Sequence, residues 1–253
     1  VTLVGAHVPS ARPLAEAEAR GADVVQIFLS SPQTWRKPRP RDDAAELRSS
    51  AIPIYVHAPY LINVCADNNR VRIPSRRILQ ETCDAASEIG ARAVVVHGGH
   101  VTGEGTREEG IARWGKALAA IDTDTQILIE NTAGGDKAVA RRAEWIRRLW
   151  EEIGGSGVGL ALDTCHAWAG GEPLDGLVDA IMGAAGRIDV VHANDSKDPF
   201  DSGRDRHAPL GQGEIPLAGL AQVIGEAGAP VIVETPGGAE EHAADIEWVR
   251  SVL

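Results

Sequence analysis

The chain has 253 residues, 43% of them hydrophobic and 24% charged, which is enough apolar material for a substantial core and excludes a disordered chain. No run of about 18 apolar residues occurs, so a membrane-spanning helix is excluded, and the N-terminal stretch lacks the charged-then-apolar pattern of a secretory signal. The formal net charge of −11 argues, taken alone, against a nucleic-acid partner, because such proteins usually carry a basic surface.

Short apolar runs recur along the chain, and most stop at a polar residue. The first, Thr2 to His7, is followed by Asp23 to Leu29, which carries Gln26 near its middle. A polar loop then runs from Ser30 to Arg41 and contains Trp35-Arg36-Lys37-Pro38-Arg39. The third run is Ile52 to His57; after it, Ser75 behind Pro74 reads as the cap of a helix whose inner face carries Leu79, Cys83 and Ala86. Arg92 to His97 is the fourth run. Thr106 and Glu109 then form a capping-box pattern, followed by Ile111, Trp114, Leu118 and Ile121 at helical spacing. Gln126 to Glu130 is the fifth run, and Ile146, Leu149, Trp150 and Ile153 make a helical stripe that stops at Gly154-Gly155. Val158 to Asp163 and Ile188 to His192 come next. The loop Asn194 to Gly213 reads as long and without secondary structure of its own, and Pro230 to Glu234 is the last run.

Strands alternating with helices, with no composition break, predict α/β structure with a parallel sheet. The runs are continuous rather than alternating, as for strands covered on both faces. Eight such strands in a chain of this length predict a single (β/α)8 TIM barrel over residues 1–253, with every strand's C-terminal end on one face, where the active site lies. Both polar loops follow strands and belong to that face. The tryptophans at helical spacing read as barrel packing. The odd, scattered set Cys65, Cys83 and Cys165 reads as free thiols of a reducing, cytoplasmic compartment. Cys165 lies between Asp163 and His166, but strand alternation would turn it away from them, so packing is the expectation there too.

His57, His97, Glu130, Asp163, His192 and Glu234 stand at six strand ends, His166 follows Asp163 into a turn, and Asp205 and His207 lie in the long loop. In an extended segment residues two apart share a side, so Asp205 and His207 can reach one ion. A lone histidine at a strand end is more often an ordinary polar residue than a ligand; nine candidates at one topological place are not explained that way. Nine ligands exceed what one ion uses and suit two or three with bridging carboxylates, and the imidazole content favours zinc, manganese or iron over magnesium or calcium. Three divalent ions would offset about half of the net charge on one face, which restores a polyanionic substrate as a possibility. His7 reads as a neighbour of the ligands or of substrate, and His100 and His242 as non-ligands.

The residues Gly5–Val8 (GAHV), His57–Asn63 (HAPYLIN), His97–His100 (HGGH), Ile129–Gly135 (IENTAGG), Leu162–Gly171 (LDTCHAWAGG), His192–Lys197 (HANDSK), Asp205–Gly213 (DRHAPLGQG) and Val233–Gly238 (VETPGG) resemble, in order and over essentially the whole chain, the endonuclease IV family of metal-dependent apurinic/apyrimidinic endonucleases. The resemblance implies a trinuclear zinc site on a TIM barrel, with manganese or iron possible at some positions. His57 and His97 would hold one ion; Glu130 would bridge it to a second, completed by Asp163, His192 and Glu234; His166, Asp205 and His207 would hold the third. Glu130, Asp163 and Glu234 would be the catalytic carboxylates. It implies hydrolysis of the phosphodiester 5′ to an abasic site, leaving a 3′-hydroxyl and a 5′-deoxyribose phosphate, and trimming of 3′-blocking groups. The partner would be double-stranded DNA with abasic sites or blocked 3′ ends, engaged by a monomer without a membrane. Gln33, Thr34 and Trp35, Tyr60 and Leu61 are the candidates to fill the gap left by an extruded sugar, and Arg36, Lys37, Arg39 and Arg41 the candidates for phosphate contact. Some family members carry a basic side chain near Gln33.

Two other classes compete. A sugar isomerase or epimerase on a similar barrel needs one metal, for which Glu130, Asp163, His192 and Glu234 suffice; His57, His97, His166, Asp205 and His207 are then unexplained. A lesion-binding or metal-sequestering protein needs no complete ligand set, and this set lacks no member.

Overall fold

In a computed structural model describing Val1–Leu253, each of the eight apolar runs forms a strand. These are β1 (Val4–His7), β2 (Val24–Phe28), β3 (Ile54–His57), β4 (Ala93–His97), β5 (Gln126–Glu130), β6 (Gly159–Asp163), β7 (Val190–His192) and, after a short hairpin of β8 (Asp195–Ser196) and β9 (His207–Ala208), β10 (Val231–Val233). The eight pair in parallel and close in the order β1-β10-β7-β6-β5-β4-β3-β2. The helices α1 (Pro13–Arg20), α2 (Ala44–Ser49), α3 (Asn69–Glu88), α4 (Arg107–Leu118), α5 (Ala143–Ile153), α6 (Thr164–Gly170), α7 (Leu177–Ala185), α8 (Leu217–Ala227) and α9 (Ala239–Val252) lie between and after the strands. The protein is therefore a (β/α)8 TIM barrel, and none of its helices is long and apolar enough to cross a membrane.

Two packed layers arise from the two-residue period of the strands. One side chain set, including Val25, Ile27, Val56, Val94, Val96 and Ile129, packs against the helices in the large core. The alternate set, Val24, Tyr55, Val95, Leu128, Ala161, Val190 and Ile232, forms a separate interior cluster. Two residues further along the same strands, on the same face, stand Gln26, His57, His97, Glu130, Asp163, His192 and Glu234. The apolar interior thus carries a polar layer at its C-terminal end, and that layer holds the predicted strand-end ligands plus Gln26. Gly5 faces β2 where any Cβ would lie 1.7 Å from the Val24 carbonyl oxygen, so only glycine allows β1 to close the ring there.

The helix signals hold in two places. Thr106 and Glu109 make the reciprocal capping box of α4, and Trp114 is fully buried with its indole N–H donating to the Gly98 carbonyl at 2.7 Å. α5 buries Ile146, Leu149, Trp150 and Ile153 and ends at Gly154. The helix expected from Ser75 begins instead at Asn69, because the Asn68 side chain caps it by accepting from the Arg70 N–H at 2.9 Å. Pro74 sits inside this helix, where its missing N–H removes one backbone bond. Ser75 is no cap: its buried hydroxyl donates to the Val71 carbonyl and accepts from the Asn63 N–H.

The loop expected to lack structure contains the β8–β9 hairpin. Buried acids organise it. The Asp195 carboxylate accepts from the backbone N–H groups of Ser196, Gly213 and Ile215, and Asp198 pairs with Arg206 at 2.5 and 2.6 Å. Hydropathy reading misses such a hairpin because side chain to backbone bonds, not an apolar strand pattern, hold it.

Candidate metal centre

The nine predicted ligands converge. His57 Nε2 and His97 Nε2 lie 3.2 and 3.3 Å from Glu130 Oε2, and His192 Nδ1 lies 2.8 Å from Glu130 Oε1 and 3.4 Å from Glu234 Oε2. Asp205, delivered by the hairpin, places Oδ1 3.1 Å from both His166 Nε2 and His207 Nε2, and His207 Nε2 is 3.8 Å from Asp163 Oδ2. Four groups have ligand atoms within 4.8 Å of one another: His57, His97 and Glu130; Glu130, Asp163, His192 and Glu234; His97, His166 and Asp205; and Asp163, Cys165 and His207. Shared members tie the groups into one cluster.

Residues 164–170 form a helix rather than the expected turn, and the Asp163 carboxylate caps it by accepting from the His166 N–H at 2.7 Å. One aspartate thereby ends a strand, starts a helix and sets His166 beside the cluster. The helix also alters the reasoning on Cys165: alternation does not apply, and its sulfur comes near Asp163 and His207. Burial nevertheless pushes this thiol up to about 12, which favours its protonated, packed form.

The histidine tautomers are set from behind. His57 Nδ1 faces the Ala58 carbonyl at 2.7 Å, His166 Nδ1 the Asn131 carbonyl at 2.9 Å and His207 Nδ1 the Glu234 carbonyl at 3.2 Å. A carbonyl oxygen only accepts, so each Nδ1 donates, and in the neutral, metal-binding ring each Nε2 turns a lone pair inward. His166 Nε2 and His207 Nε2 are buried, and although Asp205 Oδ1 lies 3.1 Å from each, neither is aligned with it for a hydrogen bond. Two orphaned imidazole nitrogens beside buried carboxylates, in a mixed nitrogen and oxygen donor set, fit zinc or a similar divalent ion.

Electrostatics agree. Burial opposes charge on His192 and His207, yet the Glu234 and Glu130 carboxylates lift His192 to about 9, and Asp205 and Asp163 lift His207 to about 9. His97, by contrast, is lowered to about 4 by burial. Burial raises Asp163, while Glu130 and Asp205 are held low against their own burial by the surrounding imidazoles. The buried carboxylates thus draw positive charge onto the imidazoles around them, the charge that bound cations would supply instead.

Sequence reading left three amides without a role. Gln26, fully buried, bridges His192 and Glu234. Asn131 exchanges two bonds with the Asp163 backbone, and Asn194 donates to Asp163 Oδ2 at 2.7 Å and accepts from the Glu234 N–H. For the two asparagines, closeness in the chain to Glu130 and His192 was the available signal; for Gln26 it was a lone amide inside an apolar run.

Of the residues read as substrate contacts, Tyr60 is half exposed, stacks on His97 with centroids 5.6 Å apart, and donates its N–H to the Pro32 carbonyl, joining the two rim loops. Leu61 is half-buried beside it. Gln33, Trp35, Arg36, Lys37 and Arg39 are exposed and Thr34 is half-buried. Arg41 is different: it is held by Asp43 at 2.6 and 2.8 Å and by the Ser10 carbonyl, so its guanidinium is committed within the protein. His7 lies 3.2 Å from Glu234 Oε1, beside the ligands as read; His242 bonds Arg20 and the Thr235 carbonyl and belongs to none of the ligand groups.

Closed barrel and convergent ligands together define a metal-binding (β/α)8 enzyme scaffold. Residues 14–252 match the xylose isomerase-like TIM barrel family. A protein of Mycobacterium tuberculosis (strain ATCC 25177 / H37Ra) named probable endonuclease 4 is 59% identical over 248 residues, 98% of each chain. The crystal structure of endonuclease IV from Thermus thermophilus superposes with a TM-score of 0.86 at 33% identity, covering 99% of this chain and 98% of that one. A D-tagatose 3-epimerase-like protein superposes with a TM-score of 0.80 over 99% of this chain and 96% of that one, but at 20% identity, which speaks for the fold alone. The chain belongs to the endonuclease IV family, the metal-dependent nucleases among the xylose isomerase-like barrels.

Proposed function

We propose that this protein hydrolyses the phosphodiester 5′ to abasic sites in double-stranded DNA and trims 3′-blocking groups, as a cytoplasmic monomer in which residues 1–253 act as one catalytic domain. The observation that carries the reading is the cluster of four overlapping ligand groups at the C-terminal mouth of the barrel. His57 and His97 would hold one zinc ion, Glu130 would bridge to a second held by Asp163, His192 and Glu234, and His166, Asp205 and His207 would hold a third. Manganese or iron suits the same donors at some positions. When bound, the ions supply a hydroxide at neutral pH and positive charge for the phosphate oxygens.

The remaining work falls to the chain. A water oxygen joins phosphorus, the bond from phosphorus to the 3′ oxygen breaks, and a proton ends on that oxygen, leaving a 3′-hydroxyl and a 5′-deoxyribose phosphate. Glu130, Asp163 and Glu234 are the carboxylates nearest this exchange. The ligands lie in the barrel mouth, so the sugar must leave the duplex to reach them, which is least costly where no base pairs or stacks. Tyr60, at the rim of the cavity of about 480 Å³ lined by His97, His166 and Asp205, would pack against an extruded sugar. Gln33, Trp35 and Leu61 would fill the gap in the stack, and Arg36 and Lys37 would contact phosphates.

Incubation of the zinc-loaded protein with a duplex bearing one abasic site tests this. Nicking 5′ to the site is expected. Retention of the duplex without nicking would instead make the chain a lesion binder, and neither result would favour sugar isomerisation on the same barrel.

A further inference from the structure

Gln26 is a fully buried amide in the middle of an apolar strand, and no ligand assignment uses it. We infer that Gln26 is a positioning residue that fixes which nitrogen of His192 faces the metal cluster and which oxygen of Glu234 is left to serve it. The inference rests on the proposed metal site and deepens it.

The geometry permits one arrangement. Gln26 Oε1 lies 3.0 Å from His192 Nε2, and Gln26 Nε2 lies 2.5 Å from Glu234 Oε1. Rotating the amide by half a turn would set its carbonyl oxygen against the carboxylate, two acceptors in contact, so the NH2 faces Glu234. The carbonyl oxygen then faces His192 Nε2, and because it only accepts, that nitrogen must carry the proton. The consequence falls on the other side of the ring. In the neutral, metal-binding form of the ring His192 Nδ1 is then the lone-pair nitrogen, and it faces Glu130 Oε1 at 2.8 Å and Glu234 Oε2 at 3.4 Å. A lone pair opposite two carboxylate oxygens is a donor set that a cation completes.

Gln26 also divides Glu234. Its NH2 occupies Oε1, which His7 Nδ1 approaches at 3.2 Å, and leaves Oε2 toward His192. For His57, His166 and His207 the partner of the outer nitrogen is a backbone carbonyl, fixed by the fold. His192 depends on a side chain instead, so this position is open to substitution without breaking the barrel. Leucine approximates the volume of glutamine and would remove both bonds while keeping the strand apolar. Glutamate would keep an acceptor for His192 but lose the donation to Glu234.

The test compares wild type with Gln26→Leu and Gln26→Glu by zinc titration against a chelator and by 15N NMR of the histidine rings in the zinc-loaded proteins. Wild type should show His192 protonated at Nε2. Gln26→Leu should lose about 10–100-fold in affinity for one zinc with the others unchanged, and should lose the protected Nε2–H signal. Gln26→Glu should retain that signal and still bind one zinc more weakly, because the bond to Glu234 is gone. Unchanged zinc affinity and an unchanged Nε2–H in Gln26→Leu would overturn the inference. Should Gln26→Leu fold too poorly to titrate, Gln26→Glu decides alone, and loss of its Nε2–H signal or wild-type affinity for every zinc would overturn the inference equally. A wild-type protein that binds no zinc would sink the metal site itself, a separate outcome.

Discussion

Glu130 is the residue with most depending on it. Its two oxygens meet His57, His97 and His192 within 3.3 Å, and it belongs to two of the ligand groups. Truncation removes a buried carboxylate from the centre of the cluster and leaves the imidazoles facing one another. Glu130→Ala is expected to lose at least about 10²–10³-fold in cleavage rate, the scale of losing a preorganised electrostatic group, and at least one bound ion. Elemental analysis showing full metal content, together with a normal rate on abasic duplex, would reject the assignment. Asp205 is the opposite kind of residue: its side chain is 47% exposed and stands on the hairpin rather than in the barrel wall. Asp205→Ala should therefore release about one ion per chain and slow cleavage while circular dichroism stays unchanged. Retention of all ions at wild-type affinity would count against its role.

Among the elements, the loop after β2 and the helix α4 separate function from stability. The cations Arg36, Lys37 and Arg39 are exposed on that loop, whereas Arg41 is tied to Asp43. Lys37→Ala should weaken DNA binding and lower the slope of log affinity against log salt by about 0.9, the counterion release of one phosphate contact. An unchanged slope would remove Lys37 from the footprint. On α4, Thr106→Ala breaks the capping box and should cost about 1 kcal/mol, lowering Tm by about 2–4 °C with activity unaffected. A Tm within error of wild type would show that the cap adds nothing. Elements were legible where one period dominated: the apolar strand runs, the capping box and the α5 stripe. They were illegible where a polar side chain overrode the pattern. Asn68 starts α3 ahead of Pro74, and Asp195 and Asp198 fold a polar loop into a hairpin.

Across the whole molecule, one ring of strands carries an apolar interior and a polar end layer, and that layer holds like charges close together. Glu130, Asp163 and Glu234 come from three different strand ends, with Asp205 over them. Bound cations would join these strands as well as neutralise them, so metal binding stabilises the fold by mass action, on the order of 4 kcal/mol when free metal exceeds its Kd about a thousandfold. Chelation should lower Tm and zinc should restore it; equal Tm in chelator and in zinc would mean that the cluster contributes nothing to holding the barrel.

The sequence by itself determined the kind of residue at each strand end and the side of the barrel it occupies, because strand direction and a two-residue period are local properties of the chain. Only the tertiary structure decided how the ligands divide into overlapping groups, that Gln26 stands behind His192 and that Arg41 is already paired. Those facts depend on distances between segments that local pattern does not encode, most of them far apart in the chain.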